Sequence, residues 1–165
     1  MPEKGGAHVF EKILVPLDGS KLAEKALPYA EILAHKFNAE LILLQVLYPV
    51  AFATDFGETR FVSSDTLHEW EAKVKVYLTS IQIKLRELGL QASLEILEGN
   101  PVAEMILDLA GDRAVDLIVM STHGYSGSKQ WVYGSVASKV LEQAPCPVFL
   151  VRVKERDDQR VISSR

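Results

Sequence analysis

Two periods alternate along this chain. Runs of consecutive apolar residues stand at 12–17 (KILVPL), 40–47 (ELILLQVL), 93–97 (SLEIL), 115–121 (VDLIVMS) and 147–153 (PVFLVRV). Short runs rich in Val, Ile and Leu predict strands, and those that do not alternate predict parallel strands covered on both faces. SLEIL alternates, which places it nearer a sheet edge. Between the runs the period becomes helical. Leu22, Ala26, Ala30, Leu33 and Phe37 recur at steps of four and three behind Ser20, a candidate N-cap. Pro28 falls inside this pattern, where its missing N–H predicts a kink or a weakened turn. A longer stripe of Leu67, Trp70, Val74, Tyr77, Leu78, Ile81, Leu85 and Leu88 runs to Gly89, which should end the helix. Such a stripe can serve a coiled coil or a partner helix, and we read it as core packing. Pro101 suits the first turn of a third pattern with Val102, Ile106, Leu109 and Ala110. The last helix starts near Ser135 and carries Val136, Val140 and Leu141.

Strand and helix in strict alternation, ending on a strand, predict an α/β fold: an open parallel five-stranded sheet with helices on both faces. A chain of 165 residues, 48% of them hydrophobic, suits one well-buried domain. We place that domain at 11–153, with polar ends at 1–10 and 154–165 expected to be flexible. The longest irregular connection is 48–65, a surface loop or a mobile lid.

Charge narrows the partners. The formal net charge is −4, with Lys and Arg scattered among Asp and Glu, so no basic stripe is present for nucleic acid or an anionic membrane. The longest apolar run, 41–53, is interrupted by Gln45 and Pro49 and falls short of the roughly 20 residues that span a bilayer. Cys146 is the lone cysteine and cannot form an internal disulfide, and the N-terminus has no apolar signal segment. These features lead us to expect a soluble cytoplasmic protein without nucleic-acid or membrane partners.

In open parallel sheets the ligand crevice lies at the carboxyl ends of the strands, where the strand order reverses. The loop after the first strand, PLDGS, puts Asp18 at that mouth. The segment after the fourth strand, MSTHGYSGSKQWVYGSVASKVL, carries Gly124, Gly127 and Gly134 and leads into a helix at Ser135. Glycines let the backbone approach a ligand, and the N–H groups of a helix start suit an anion such as phosphate. At Gly134 the expectation is either a φ that only glycine adopts or room for a ligand. The same glycines also serve plain turns, and the two readings stand level on glycine content alone. G-x4-G-K-[ST] is missing, and the first strand–helix turn holds only Gly19, so neither a P-loop nor a dinucleotide fingerprint fits.

A different pattern does fit. Ser121-x2-Gly124-x9-Gly134-Ser135 resembles the G-x2-G-x9-G-[ST] motif of the ATP-binding branch of the universal stress protein family. ILVPLDGS, LILLQVL, EGNP and APCPVFLVR resemble further family segments in the same order, so the resemblance covers nearly the whole domain. It implies a Rossmann-like fold of the adenine nucleotide alpha hydrolase type with strand order 3-2-1-4-5. It further implies that Asp18 reaches the adenosine part of ATP, that backbone at Val46 holds adenine, and that Gly124, Gly134 and Ser135 hold ribose and phosphates. Pro16, Gly99, Met120, His123, Gly127 and Val136 complete the implied binding set. Ser121 stands where the family has its first glycine, and its side chain either crowds the ligand or adds a hydrogen bond.

The other polar residues carry less. His123 lacks partners at metal-ligand spacing, so no protein metal site is expected, although Mg²⁺ or Mn²⁺ can enter with the phosphates of ATP. Lys129 is a phosphate contact or a solvated lysine. Cys146 has no evident base beside it and reads as structural, and Asp116 reads as shaping a strand entrance. No residue set supplies both a positioned base and a pair of metal carboxylates, which favours a nucleotide-dependent regulatory module of stress response over an ATPase or phosphotransferase. A dimeric stress protein without nucleotide binding is the third reading. The apolar last strand, 147–153, is expected to pair with its copy in a homodimer, as an edge strand of that order invites. Regulatory protein partners are unknown.

Overall fold

The computed structural model describes residues 9–48, 52–53, 59–60, 63–122 and 133–152. In chain order these form β1 (Lys12–Leu17), α1 (Lys21–Glu24), α2 (Leu27–Phe37), β2 (Glu40–Leu47), β3 (Phe52–Ala53), β4 (Thr59–Arg60), α3 (Ser64–Glu87), β5 (Ala92–Glu98), α4 (Val102–Asp112), β6 (Leu117–Ser121), α5 (Ser135–Gln143) and β7 (Val148–Val151). The principal sheet runs β5-β2-β1-β6-β7 with every pairing parallel, while β3 and β4 form a separate antiparallel pair. Counted within the five-stranded sheet alone, this is the order 3-2-1-4-5.

Side-chain alternation along the central strands builds two cores. Ile13, Val15, Leu41, Leu43, Leu117 and Val119 face α1, α2 and α3, where they meet Ala30, Ala34, Leu78 and Leu85. Leu14, Ile42, Leu44, Ile118 and Met120 face the other way, onto Ile106 of α4 and Val140 of α5. Burial on both faces accounts for the unbroken apolar runs. The alternating strand is β5, and it lies at an edge. Asp116 shapes the entrance to the sheet, because its Oδ2 accepts the N–H groups of Glu11 and Lys12 at 2.9 Å each.

Three local expectations change. The pattern from Leu22 to Phe37 is two helices, and Pro28 sits in the first turn of the second. A continuous helix would need the Pro28 nitrogen to donate to the Glu24 carbonyl and would press the ring against it. The chain turns at Lys25 and Ala26 instead, with N–H groups bonded three residues back to Leu22 and Ala23. The 48–65 connection holds the β3–β4 pair, and α3 takes over its last residues behind a Ser63 cap. Leu88 leaves the apolar stripe and is 53% exposed, because α3 has ended and Gly89 turns away at φ +79°. The expected flexible ends at 1–10 and 154–165 lie mostly outside the described residues.

Candidate functional site: a crevice where two strands part

The central strands separate at their carboxyl ends. β1 and β2 stay in register from Lys12↔Glu40 to Leu17↔Gln45, whereas β1 and β6 pair only at Ile13↔Leu117 and Leu14↔Ile118. Pro16 helps to explain the parting. The Glu11 carbonyl accepts from Glu40 on the β2 side and the Lys12 carbonyl from Asp116 on the β6 side. Successive residues of a strand address opposite neighbours, so Pro16 faces β6, beyond the last pair. A residue with no N–H fits a position where the ladder has stopped.

The opening is a crevice of about 770 Å³, within the range of small-molecule sites. Pro16, Asp18, Val46, Met120, Ser121, Gly134, Ser135 and Val136 line it, so eight of the residues singled out in the sequence share one wall system. Gly99 does not line it. The neighbouring Asn100 and Pro101 do, and Gly99 lies against Met105, whose sulfur a Cβ would strike. His123, Gly124, Gly127 and Lys129 lie outside the described residues.

Each wall has a local cause. Asp18 follows β1, and its Oδ1 accepts the Ser20 N–H at 2.9 Å, folding the turn into α1. Gly19 makes this turn at φ +81°, a conformation suited to glycine. Ser20 caps α1 by accepting the Ala23 N–H at 3.1 Å. Behind this turn the Tyr77 hydroxyl donates to Glu24 at 3.2 Å. Burial, reinforced by the charges of Glu24 and Asp18, pushes the Tyr77 phenol above its ordinary pKa. At the end of β2, the Leu47 carbonyl accepts from Gly99 on the β5 side. Alternation therefore turns the Val46 backbone toward β1 and the crevice, at the level where the β1–β2 register ends.

The far wall is the start of α5. The Gly134 N–H donates to the Thr122 carbonyl at 2.9 Å, tying the helix start to the end of β6. Gly134 is the N-cap and has no side chain to cap with. The first intrahelical bond runs from the Ser138 N–H to the Gly134 carbonyl at 2.9 Å, so the N–H groups of Ser135, Val136 and Ala137 have no acceptor within the helix. The φ of Gly134 is −55°, open to any residue, and among the described residues a Cβ there would meet only the Thr122 carbonyl at 3.4 Å. Backbone conformation is thus not what requires glycine at 134. Ser121 is 6% exposed and sits in the last β6–β7 register pair, opposite Val151.

Sequence reasoning missed several lining residues. Gln45 is hidden within an apolar strand, and its Oε1 is buried with no hydrogen-bond partner among the described residues. Lys139 lies one turn into α5 and reads as a surface lysine until α4 is placed beside it. Cys146 is half-buried, and burial, with the Asp116 charge adding to it, pushes its thiol above the ordinary value. That suits a structural cysteine rather than a thiolate nucleophile. Among the described residues no group of three His, Cys, Asp or Glu side chains is placed to hold a metal, and no helix is long and apolar enough to cross a membrane.

An open parallel sheet of this order, with a crevice at its order reversal, defines a Rossmann-like class of α/β protein. The sequence pattern of the universal stress protein family matches residues 10–152, and the chain belongs to that family. It is 36% identical over 149 residues to universal stress protein YxiE of Bacillus subtilis, covering 87% of this chain and 100% of that protein. A universal stress protein of Methanocaldococcus jannaschii is 30% identical over 156 residues, covering 93% and 89%. Among solved structures, the universal stress protein UspA from Lactobacillus plantarum superposes with a TM-score of 0.73 at 28% identity, covering 87% of this chain and 98% of that one.

Proposed function

We propose that this chain is an ATP-binding regulatory module of stress response. The observation that carries the reading is the uncapped start of α5 on the wall of a crevice of nucleotide size. The N–H groups of Ser135 and Val136 would meet the phosphates, with Gly134 leaving them room. Asp18 would reach the sugar or base, and the Val46 backbone would meet adenine beside Pro16 and Met120. Gly99 would support the Asn100–Pro101 wall, and Ser121, His123, Gly124 and Gly127 would complete the phosphate loop. Mg²⁺ or Mn²⁺ would arrive with the phosphates. Elsewhere this fold accompanies such ligands: universal stress proteins from Arabidopsis thaliana and Archaeoglobus fulgidus have been solved with AMP and with dAMP.

Nucleotide occupancy would bias a conformation or a partner interaction in the cytoplasm, and the domain would extend over 11–153. A homodimer through 147–153 accords with β7 as the sheet edge, where Phe149 is exposed and packs at a tilt against Tyr29 with ring centroids 5.6 Å apart. Light scattering should give a dimer mass at micromolar concentration, and a charge at Phe149 should shift it toward monomer. The test of the binding reading is to denature the purified protein, identify any nucleotide released, and titrate the emptied protein with ATP by calorimetry. Released ATP or ADP, or saturable heat, supports it. No nucleotide and no heat would reject it in favour of a stress protein that works without one. Phosphate release above about one per second would instead promote the ATPase or phosphotransferase reading.

A further inference from the structure

Lys139 is the only cation among the described residues lining the crevice, and Asp18 is the only anion. Its ammonium pairs with Glu104 Oε1 at 2.6 Å, joining α5 to α4. Position and partner both place this charge at the helix starts. Lys139 follows Ser135 by four residues, so the two side chains share a helix face, and helical side chains lean toward the N-terminus. Glu104 belongs to the first turn of α4, so the ammonium it holds is level with that helix start. The pair is 36% and 50% exposed, and a solvent-exposed ion pair of this kind is readily exchanged for a better anion. A triphosphate seated on the Ser135 and Val136 amides would bring such an anion, because its β- and γ-phosphates extend past the α-phosphate.

We infer that Lys139 is a specificity-determining residue for phosphate number, leaving Glu104 to contact the distal phosphates of ATP and so favouring ATP over AMP. This rests on the nucleotide reading of the crevice. Glu104 opposes the exchange in two ways: it retains Lys139, and its own charge repels the phosphates. A brace between α4 and α5 is the plain alternative, and it makes a different prediction. Loss of a brace would change stability and would weaken ATP and AMP together.

The experiment compares ATP and AMP affinities by calorimetry for the parent, Lys139→Gln, Lys139→Arg and Glu104→Gln, with circular dichroism as the folding control. The ATP-to-AMP affinity ratio should fall about tenfold in Lys139→Gln, as expected for loss of a charge-assisted contact. It should be largely kept in Lys139→Arg and should rise about two- to threefold in Glu104→Gln. An unchanged ratio in folded Lys139→Gln overturns this inference and leaves the nucleotide site standing. A parent protein that binds neither ATP nor AMP overturns the site, and the inference with it.

Discussion

Two helices begin at the rim of one crevice and treat their first N–H groups in opposite ways. At α1 the chain supplies its own acceptors: Asp18 takes the Ser20 N–H and Ser20 takes the Ala23 N–H. At α5 the cap is Gly134, which supplies none. A glycine cap forgoes about a few tenths of a kcal/mol against a Ser or Asp, while leaving the first amides uncovered. A chain that caps one helix with serine and leaves its neighbour bare has kept the second set of donors available to something else. The glycine does not answer a backbone need, since its φ is open to any residue. Space and open amides remain as its features, and both are what the proposed phosphate contact would use.

The largest expected effect comes from filling that space. Gly134→Val would put a branched side chain over the Ser135 and Val136 amides, and ATP affinity should fall at least about a hundredfold. The fold should survive, because the nearest described atom to a new Cβ is the Thr122 carbonyl at 3.4 Å. A stability loss of about 1 kcal/mol is expected from the poorer cap. Calorimetry and thermal melts decide. Parental affinity in a folded Gly134→Val protein would mean that the bare helix start serves the turn alone.

Asp18 belongs to both sides of the comparison, and its substitution should be intermediate. Asp18→Ala removes the acceptor for the Ser20 N–H, costing about 1 kcal/mol, and would also remove the proposed ligand contact, a ten- to hundredfold loss of affinity. Asp18→Asn separates the roles. Its carbonyl oxygen can keep the turn and restore the melting temperature, while the charge that would bind the sugar is gone. Affinity that recovers fully in Asp18→Asn would limit Asp18 to shaping the turn.

Much of this contrast was legible in the chain. The five apolar runs mark the five sheet strands, and the alternation in SLEIL marks an edge. Ser20 announces its own cap because serine before a helical pattern has one common use. The strand order was not readable from spacing, since any parallel order satisfies the same alternation of strand and helix, and it followed from family resemblance. Periodicity alone hid the break at Lys25, because Ala26 and Ala30 keep the apolar rhythm across two helices. Pro28 was the better signal: we read it as a kink inside one helix, and it marks the first turn of a second. In the site, Asp18 stood out by its place after the first strand and Gly134 by the glycine pattern and the family resemblance, while Gln45 and Lys139 did not. Each has a bland local context, and only the neighbouring elements bring it to the crevice.

The smallest expected effect on binding is at the closed helix start, and it is the sharpest control. Ser20→Ala removes the acceptor of the Ala23 N–H and should lower stability by about 1 kcal/mol, a fall in melting temperature of about 2–4 °C for a domain of this size. Ser20 is absent from the described lining of the crevice, whereas Asp18 and Ala23 on either side are present. Its hydroxyl is committed to the helix it caps, so ATP affinity should stay at the parental value. The reverse pattern, stable protein with weakened binding, would show that the capped helix also offers its start to the ligand. The two helix starts would then be alike in function, and the open amides of α5 would no longer single out the phosphate wall.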